Sequence, residues 1–211
     1  DLESVEVLRG PQGLLFGRNT TGGAVLINTG NPTDDFTARA RVAYETPVNE
    51  GRGGGNLYTQ ALVSGPIIED TLNGKLSVFY NSDEGYFENL ANGENHGEAL
   101  TYIVRGALEW FPTSDVTNLF KIQYQDGRSD GPTGQNRGLF ERDSFDFSIN
   151  NPGFATSEST FISNQTTIDV PFGDGTITNI IGYRNMVNGT SGDIDSTPLT
   201  LFHSDTELEA E

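Results

Sequence analysis

From Phe36 onward, apolar and polar side chains alternate along the chain in segments of about ten residues, and a period of two is the mark of a strand whose faces meet different surroundings. Phe36, Ala38, Ala40, Val42 and Tyr44 share one face, and Thr37, Arg39, Arg41 and Ala43 the other. Leu57, Thr59, Ala61 and Val63 oppose Tyr58, Gln60, Leu62 and Ser64, and Leu72, Gly74, Leu76, Val78 and Tyr80 oppose Asn73, Lys75, Ser77 and Phe79. The clearest segment sets Leu100, Tyr102, Val104, Leu108 and Trp110 against Thr101, Ile103, Arg105, Ala107 and Glu109. Val116, Phe120, Ile122 and Tyr124 follow, opposite Thr117, Lys121, Gln123 and Gln125. Two less regular segments, 160–170 and 176–187, complete seven predicted strands, and 206–211 begins an eighth.

Two further patterns separate the architectures that alternation allows. Charged residues within the segments (Arg39, Arg41, Lys75, Arg105, Glu109, Lys121, Asp169, Arg184) fall on the polar face, and several apolar rows end in Tyr or Trp. A membrane strand needs both, because lipid excludes midplane charge and aromatic girdles mark its two interfaces, although a half-buried soluble sheet sorts charge in the same way. The connections decide more. Short links at 65–70, 111–115 and 171–175 alternate with long ones at 45–56, 82–98, 127–159 and 188–205. Up-and-down barrels of the outer membrane alternate short periplasmic turns with long outer loops. The expected fold is therefore all-β: an incomplete antiparallel, up-and-down transmembrane β-barrel segment of seven or eight strands. Trp110, Phe111 and Phe172 are expected at the periplasmic rim, and Tyr44, Tyr80 and Tyr124 toward the outside.

Composition narrows the class. Of 211 residues only 34% are hydrophobic and 26 are glycine, which is poor material for a large soluble core. No apolar run approaches the ~20 residues of a membrane-spanning helix. Thirty acidic residues against twelve basic ones give a net charge of -18, which disfavours nucleic acid as a partner. The absence of Cys removes disulfides, thiolate metal sites and thiol nucleophiles. The chain opens at Asp1 inside a strand-like pattern with no leader ahead of it, which reads as truncation.

The first 30 residues differ from the rest. A short apolar run, Val5-Glu6-Val7-Leu8, leads into Arg9-Gly10-Pro11-Gln12-Gly13; Phe16-Gly17-Arg18-Asn19 follows, and then Gly22-Gly23-Ala24-Val25-Leu26-Ile27-Asn28. This order resembles the end of the plug domain of TonB-dependent outer-membrane receptors. The resemblance implies that residues 1–32 are the C-terminal part of a plug and 33–211 the N-terminal third of the barrel, with Pro32 at the boundary. It implies TonB-dependent uptake of a scarce nutrient, such as a ferric siderophore or similar iron complex, across the bacterial outer membrane. The implied partners are the TonB energy-coupling complex, outer-membrane lipid and the nutrient ligand; no cofactor is implied, and the protein is not an enzyme. Arg9 and Arg18 are then expected to hold the plug to the barrel wall through carboxylates, a task suited to guanidinium. Gly10, Pro11, Gly13, Gly17, Gly22 and Gly23 are expected to form tight plug turns, with glycine supplying positive φ. Tyr86, Phe87, Phe140, Phe145 and Phe154, in the long outer links, are candidates for a ligand mouth.

Other chemistry finds less support. The glycine-rich start lacks the Gly-Lys-Ser/Thr ending of a phosphate loop and precedes a strand instead of a helix. His96 and His203 are the only histidines, too few for a zinc site and badly spaced for a triad. Asp126, Asp130, Asp193 and Asp195 offer calcium-like oxygen ligands without a calcium-loop signature. Two alternatives stay open: a small passive or structural barrel closing with eight strands, and a secreted soluble all-β carbohydrate-binding protein.

Overall fold

The computed structural model describes residues 2–16, 20–48, 52–141 and 144–210. A hairpin comes first: β1 (Leu2–Arg9) pairs antiparallel with β2 (Gly23–Thr29), and a one-turn helix α1 (Gly13–Phe16) lies between them. Eight strands follow: β3 (Thr37–Glu45), β4 (Asn56–Ile68), β5 (Leu72–Asn89), β6 (Glu94–Thr113), β7 (Val116–Ser129), β8 (Phe154–Val170), β9 (Gly175–Asp193) and β10 (His203–Ala210). They form one antiparallel sheet in strict chain order, with β3 and β10 at its open edges. The sheet does not close on itself, which sets it apart from a complete eight-stranded barrel.

Register carries the sequence alternation across strands. Tyr80 lies opposite Tyr102, Val78 opposite Val104, and Val104 opposite Tyr124, so the apolar rows merge into one continuous face. On the other face Ser77 lies opposite Arg105 and Arg105 opposite Gln123. No second layer of protein covers the apolar face: Phe36 is 74% exposed, Val42 69% and Ile181 65%. Among the described residues only Ala107, Phe147 and Ile149 are buried hydrophobics. A sheet with such a face exposed needs a hydrocarbon surround in place of a packed core.

The strands are longer than the hydrophobic pattern indicates. The segment 82–98, expected as a long loop, consists mostly of two strand arms, paired as far as Asn89 and Glu94 and joined by a turn at 90–93. β7 runs on to Ser129, β8 begins at Phe154, β9 ends at Asp193 and β10 begins at His203. The reason is physical. Beyond the apolar band both faces of a strand meet polar surroundings, so the period-two signal disappears while backbone pairing continues. True loops remain among the described residues of 46–55 and 130–153 and at 194–202, all at one end of the sheet. The other end has the tight turns 69–71, 114–115 and 171–174.

The link between the two sheets is pinned to the polar face. The Thr33 amide donates to Ser64 Oγ at 2.9 Å, and Asn73 Nδ2 to Asp34 Oδ1 at 2.8 Å. Pro32, immediately before Thr33, is buried.

Candidate functional site

Two places on this scaffold gather chemistry. The first is where the hairpin meets the polar wall. Lys75 on β5 and Lys121 on β7 reach in from the polar face, where alternation also places Arg39, Arg41, Arg105 and Arg184. Lys75 Nζ donates to the Gly30 carbonyl at 2.7 Å, and Lys121 Nζ to the Thr29 carbonyl at 2.9 Å. Thr29 is the last residue of β2, opposite Leu2, and Gly30 follows the strand; the two ammonium groups donate to their carbonyls where the ladder runs out. Beside them Arg105 Nε donates to Gln123 Oε1 at 2.6 Å. A cavity of about 160 Å³ remains here, with Ile27, Lys75, Arg105, Lys121, Gln123 and Phe161 in its lining. The wall therefore holds the hairpin by cation-to-carbonyl contacts.

The sequence-predicted residues of the hairpin fall as follows. Arg9 is exposed, and its carbonyl accepts from Gln12 Nε2 at 3.3 Å; the seat on the wall is made by Lys75 and Lys121. Arg18 and Gly17 lie outside the described residues. Gly10 has φ +83° and Gly23 φ +143°, and a side chain at Gly23 would strike the Leu8 carbonyl across the hairpin. Pro11 lies between Gly10 and α1. Gly13 begins α1 in place of a positive-φ turn, and Gly22 has open space beside it.

The second place is at the loop end. The rings of Tyr86 and Phe87 meet edge to face at 5.5 Å, and Phe87 lies 6.3 Å from Phe145 and 6.4 Å from Phe147. His96, 5% exposed, packs its ring against Phe147 at 5.1 Å. A cavity of about 190 Å³ opens among Phe87, His96, Gln135, Phe145, Asp146 and Phe147. Loop 130–153 is fastened over it at several points. Asn89, 3% exposed, donates through Nδ2 to the Ile149 carbonyl at 3.0 Å and accepts from the Ile149 amide at 3.1 Å. Arg52 pairs with Asp146 at 2.6 Å and donates to the Ser144 carbonyl at 2.8 Å, tying loop 46–55 to loop 130–153. Asp130 Oδ2 accepts from the amides of Gly97 and Glu98 and lies 3.5 Å from His96 Nδ1.

Of the mouth residues expected from sequence, Tyr86, Phe87 and Phe145 come together, while Phe140 and Phe154 line neither this cavity nor its ring contacts among the described residues. Tyr86 and Phe87 sit on the outer arm of β5 and Phe154 opens β8, so three of the five belong to strands instead of loops. Asn89, His96, Gln135 and Phe147 were not singled out for the mouth. Phe147 was recoverable on the same ground as Phe140 and Phe145, as an aromatic residue in the long link; Asn89 carries no signal, because its value lies in a partner 60 residues away.

The carboxylates weighed for calcium are engaged with the chain itself. Asp193 Oδ1 accepts from the Ser196 amide at 2.7 Å, and Asp195 accepts from the Thr197 hydroxyl and the amides of Thr197 and Phe202. The Thr197 hydroxyl, followed by the Phe202 amide, holds the Asp195 carboxyl below the usual carboxylate range. Among the described residues, no group of three or more His, Asp or Glu converges as a metal would require.

An up-and-down antiparallel sheet with an uncovered apolar face, a charged wall, tight turns at one end and loops at the other is a segment of an outer-membrane β-barrel. No protein-family model matches the chain. It is 34% identical to the pesticin receptor of Yersinia pestis over 96 residues, covering 45% of this chain and 13% of that protein. It is 35% identical to the probable TonB-dependent siderophore receptor PirA of Acinetobacter baumannii over 83 residues, 39% of this chain and 11% of that protein. In fold it matches the crystal structure of the siderophore receptor PirA from Acinetobacter baumannii with a TM-score of 0.69 at 20% identity, over 99% of this chain and 31% of that one. It also matches the ferric yersiniabactin uptake receptor FyuA from Yersinia pestis with a TM-score of 0.72 at 21% identity, over 90% of this chain and 29% of that one. By sequence and by fold, the chain is a relative of the TonB-dependent outer-membrane receptors. It spans only a small part of their length, and the sheet it contributes lies in the bacterial outer membrane. The tight-turn end is accordingly the periplasmic end.

Proposed function

We propose that the chain serves TonB-dependent uptake of a scarce nutrient, a ferric siderophore or similar iron complex, across the outer membrane. In this reading residues 1–32 are the end of a plug and 33–211 the first third of the barrel. The observation that carries it is the seating of Thr29 and Gly30 on Lys121 and Lys75, because a hairpin bound to the charged face is a hairpin bound inside the future cylinder. Polar contacts of this kind hold a plug at rest and leave it releasable by a pull from TonB. Arg9 and Arg18 then add contacts to wall carboxylates, and Tyr86, Phe87 and Phe145, together with Phe140 and Phe154, face arriving ligand. The relatives are receptors, and transport instead of catalysis is the role assigned here. Radio-iron uptake by cells carrying the complete gene under iron limitation tests it. Uptake should vanish on deleting the gene and equally on removing TonB; uptake that persists without TonB would overturn the reading.

A further inference from the structure

The apolar face contains one groove that the barrel fold itself does not require. Gly65 on β4 lies opposite Gly74 on β5, Gly74 opposite Leu108 on β6, and Leu76 opposite Gly106, which in turn lies opposite Ile122 on β7. All belong to the lipid-facing rows. Above the glycine floor stand Phe36, Val63, Ile67, Leu76, Leu108 and Ile122, bordering an open, almost wholly apolar groove of about 460 Å³. Phe36, Ile67 and Leu76 are at least half exposed, so the walls stand proud of the sheet; at Gly65 the Phe36 backbone takes the space, its Cα 2.9 Å from where an added Cβ would lie, and the floor is open chiefly at Gly106. Glycine inside a strand weakens it and marks a place where another group approaches the backbone closely. At Gly74 part of the room is taken by Ile67, whose Cδ1 would lie 2.6 Å from an added Cβ; at Gly106 a Cβ would meet only Ile122 Cγ2, at 3.3 Å.

We propose that this groove binds one acyl chain of a periplasmic-leaflet phospholipid whose headgroup carries an ammonium group. Raised walls keep a flat protein surface off the floor, whereas a methylene chain enters between them and continues the hydrocarbon already covering this face. The groove lies at the periplasmic end, next to the turn 69–71. The turns there hold Glu69 and Asp70, Asp115, and Asp174, with no Lys or Arg among residues 69–71, 114–115 and 171–174. An anionic headgroup at that height meets carboxylates alone; an ethanolamine ammonium is attracted to them. The inference rests on the membrane placement and is independent of the transported ligand.

The test uses the complete gene product in nanodiscs of mixed phosphatidylethanolamine and phosphatidylglycerol, each in turn carrying a diazirine on its acyl chain. Cross-links from the ethanolamine lipid should concentrate on peptides containing Phe36, Ile67, Leu76 and Ile122. Gly106→Ile should lower them about tenfold, the effect of losing one or two methylenes' worth of burial. Phe36→Ala, which removes a wall outside the strand ladder, should lower them in the same direction if Gly106→Ile fails to fold. The double variant Asp70→Asn/Asp115→Asn should erase the preference for ethanolamine over glycerol lipid. Cross-links spread evenly over the apolar face, equal capture of both lipids by the unaltered protein, or cross-links at Phe36 and Ile122 to a second copy of the chain would each overturn the proposal. Iron uptake does not enter any of these readouts.

Discussion

Lys121 Nζ donates to the carbonyl of Thr29 at 2.9 Å, joining residues 92 positions apart and tying the seventh strand to the end of the hairpin. With Lys75 on Gly30 it makes a two-point seat. A hydrogen bond from a charged donor is worth about 1.5–3 kcal/mol, and a half-exposed ammonium falls at the low end of that range. Lys121→Met should therefore loosen the hairpin by about 1–2 kcal/mol while leaving the sheet intact. Hydrogen exchange at the amides of residues 25–31 checks this in the complete protein. Lys121→Arg should restore most of the protection, whereas unchanged exchange in Lys121→Met would mean that the seat carries no weight.

The clasp at Asn89 is a second such tie. Its buried amide satisfies both the amide and the carbonyl of Ile149, so Asn89→Leu leaves two backbone groups without partners in a closed space. Each costs about 1–3 kcal/mol when buried and unpaired. Loop 130–153 should then detach from the outer arms of β5 and β6. Limited proteolysis should cut within 130–153 many times faster in Asn89→Leu than in the parent, with the eight-strand register unaltered. Arg52→Ala, which removes the half-exposed ion pair to Asp146, should have a smaller effect in the same direction.

What the sequence disclosed, and where it went silent, follows from which side of a strand meets what. Within the apolar band, rows such as Leu72, Leu76, Val78 and Tyr80 announce their face because one side meets hydrocarbon and the other does not. Past Tyr80 the same strand continues through Asp83 and Glu88 to Asn89 with no such contrast, and it reads as loop. The hairpin was legible because Gly10 and Gly23 stand where positive φ is needed. Its seat was not: Lys75 and Lys121 were placed on the polar face, but their partners are backbone carbonyls, which every residue has. The aromatic mouth was half legible for the same reason, since Phe87 and Phe145 are distinctive residues while Asn89 and His96 act through where the fold brings them.

Loop 194–202 should respond to acid. Asp195, held below the usual carboxylate range chiefly by the Thr197 hydroxyl and then by the Phe202 amide, binds its proton less readily folded than unfolded. Its contribution is thus fully present above the unfolded value of about 3.9 and lost as the pH falls through the lower folded value. Amide exchange at Thr197 and Phe202, corrected for intrinsic rate, should show protection falling as the pH drops below about 4. Asp195→Asn should remove the pH dependence; a profile that stays the same in that variant would assign it to another group.

The uncovered apolar face and the two open edges make one demand on the 211-residue chain taken by itself. β3 and β10 each present a row of unpaired backbone groups, and Phe36, Val42 and Ile181 present hydrocarbon to water. Both features drive association, and the net charge of -18 opposes it. Salt decides between them. Screening is strong once the Debye length shrinks to about 3 Å near 1 M salt, and hydrophobic association is not weakened by it. Light scattering of the refolded chain should therefore show aggregation that speeds up with added salt and is suppressed by detergent micelles. A chain that stays monomeric without detergent across that range would have its apolar face covered by protein, and lipid would have no part in the fold.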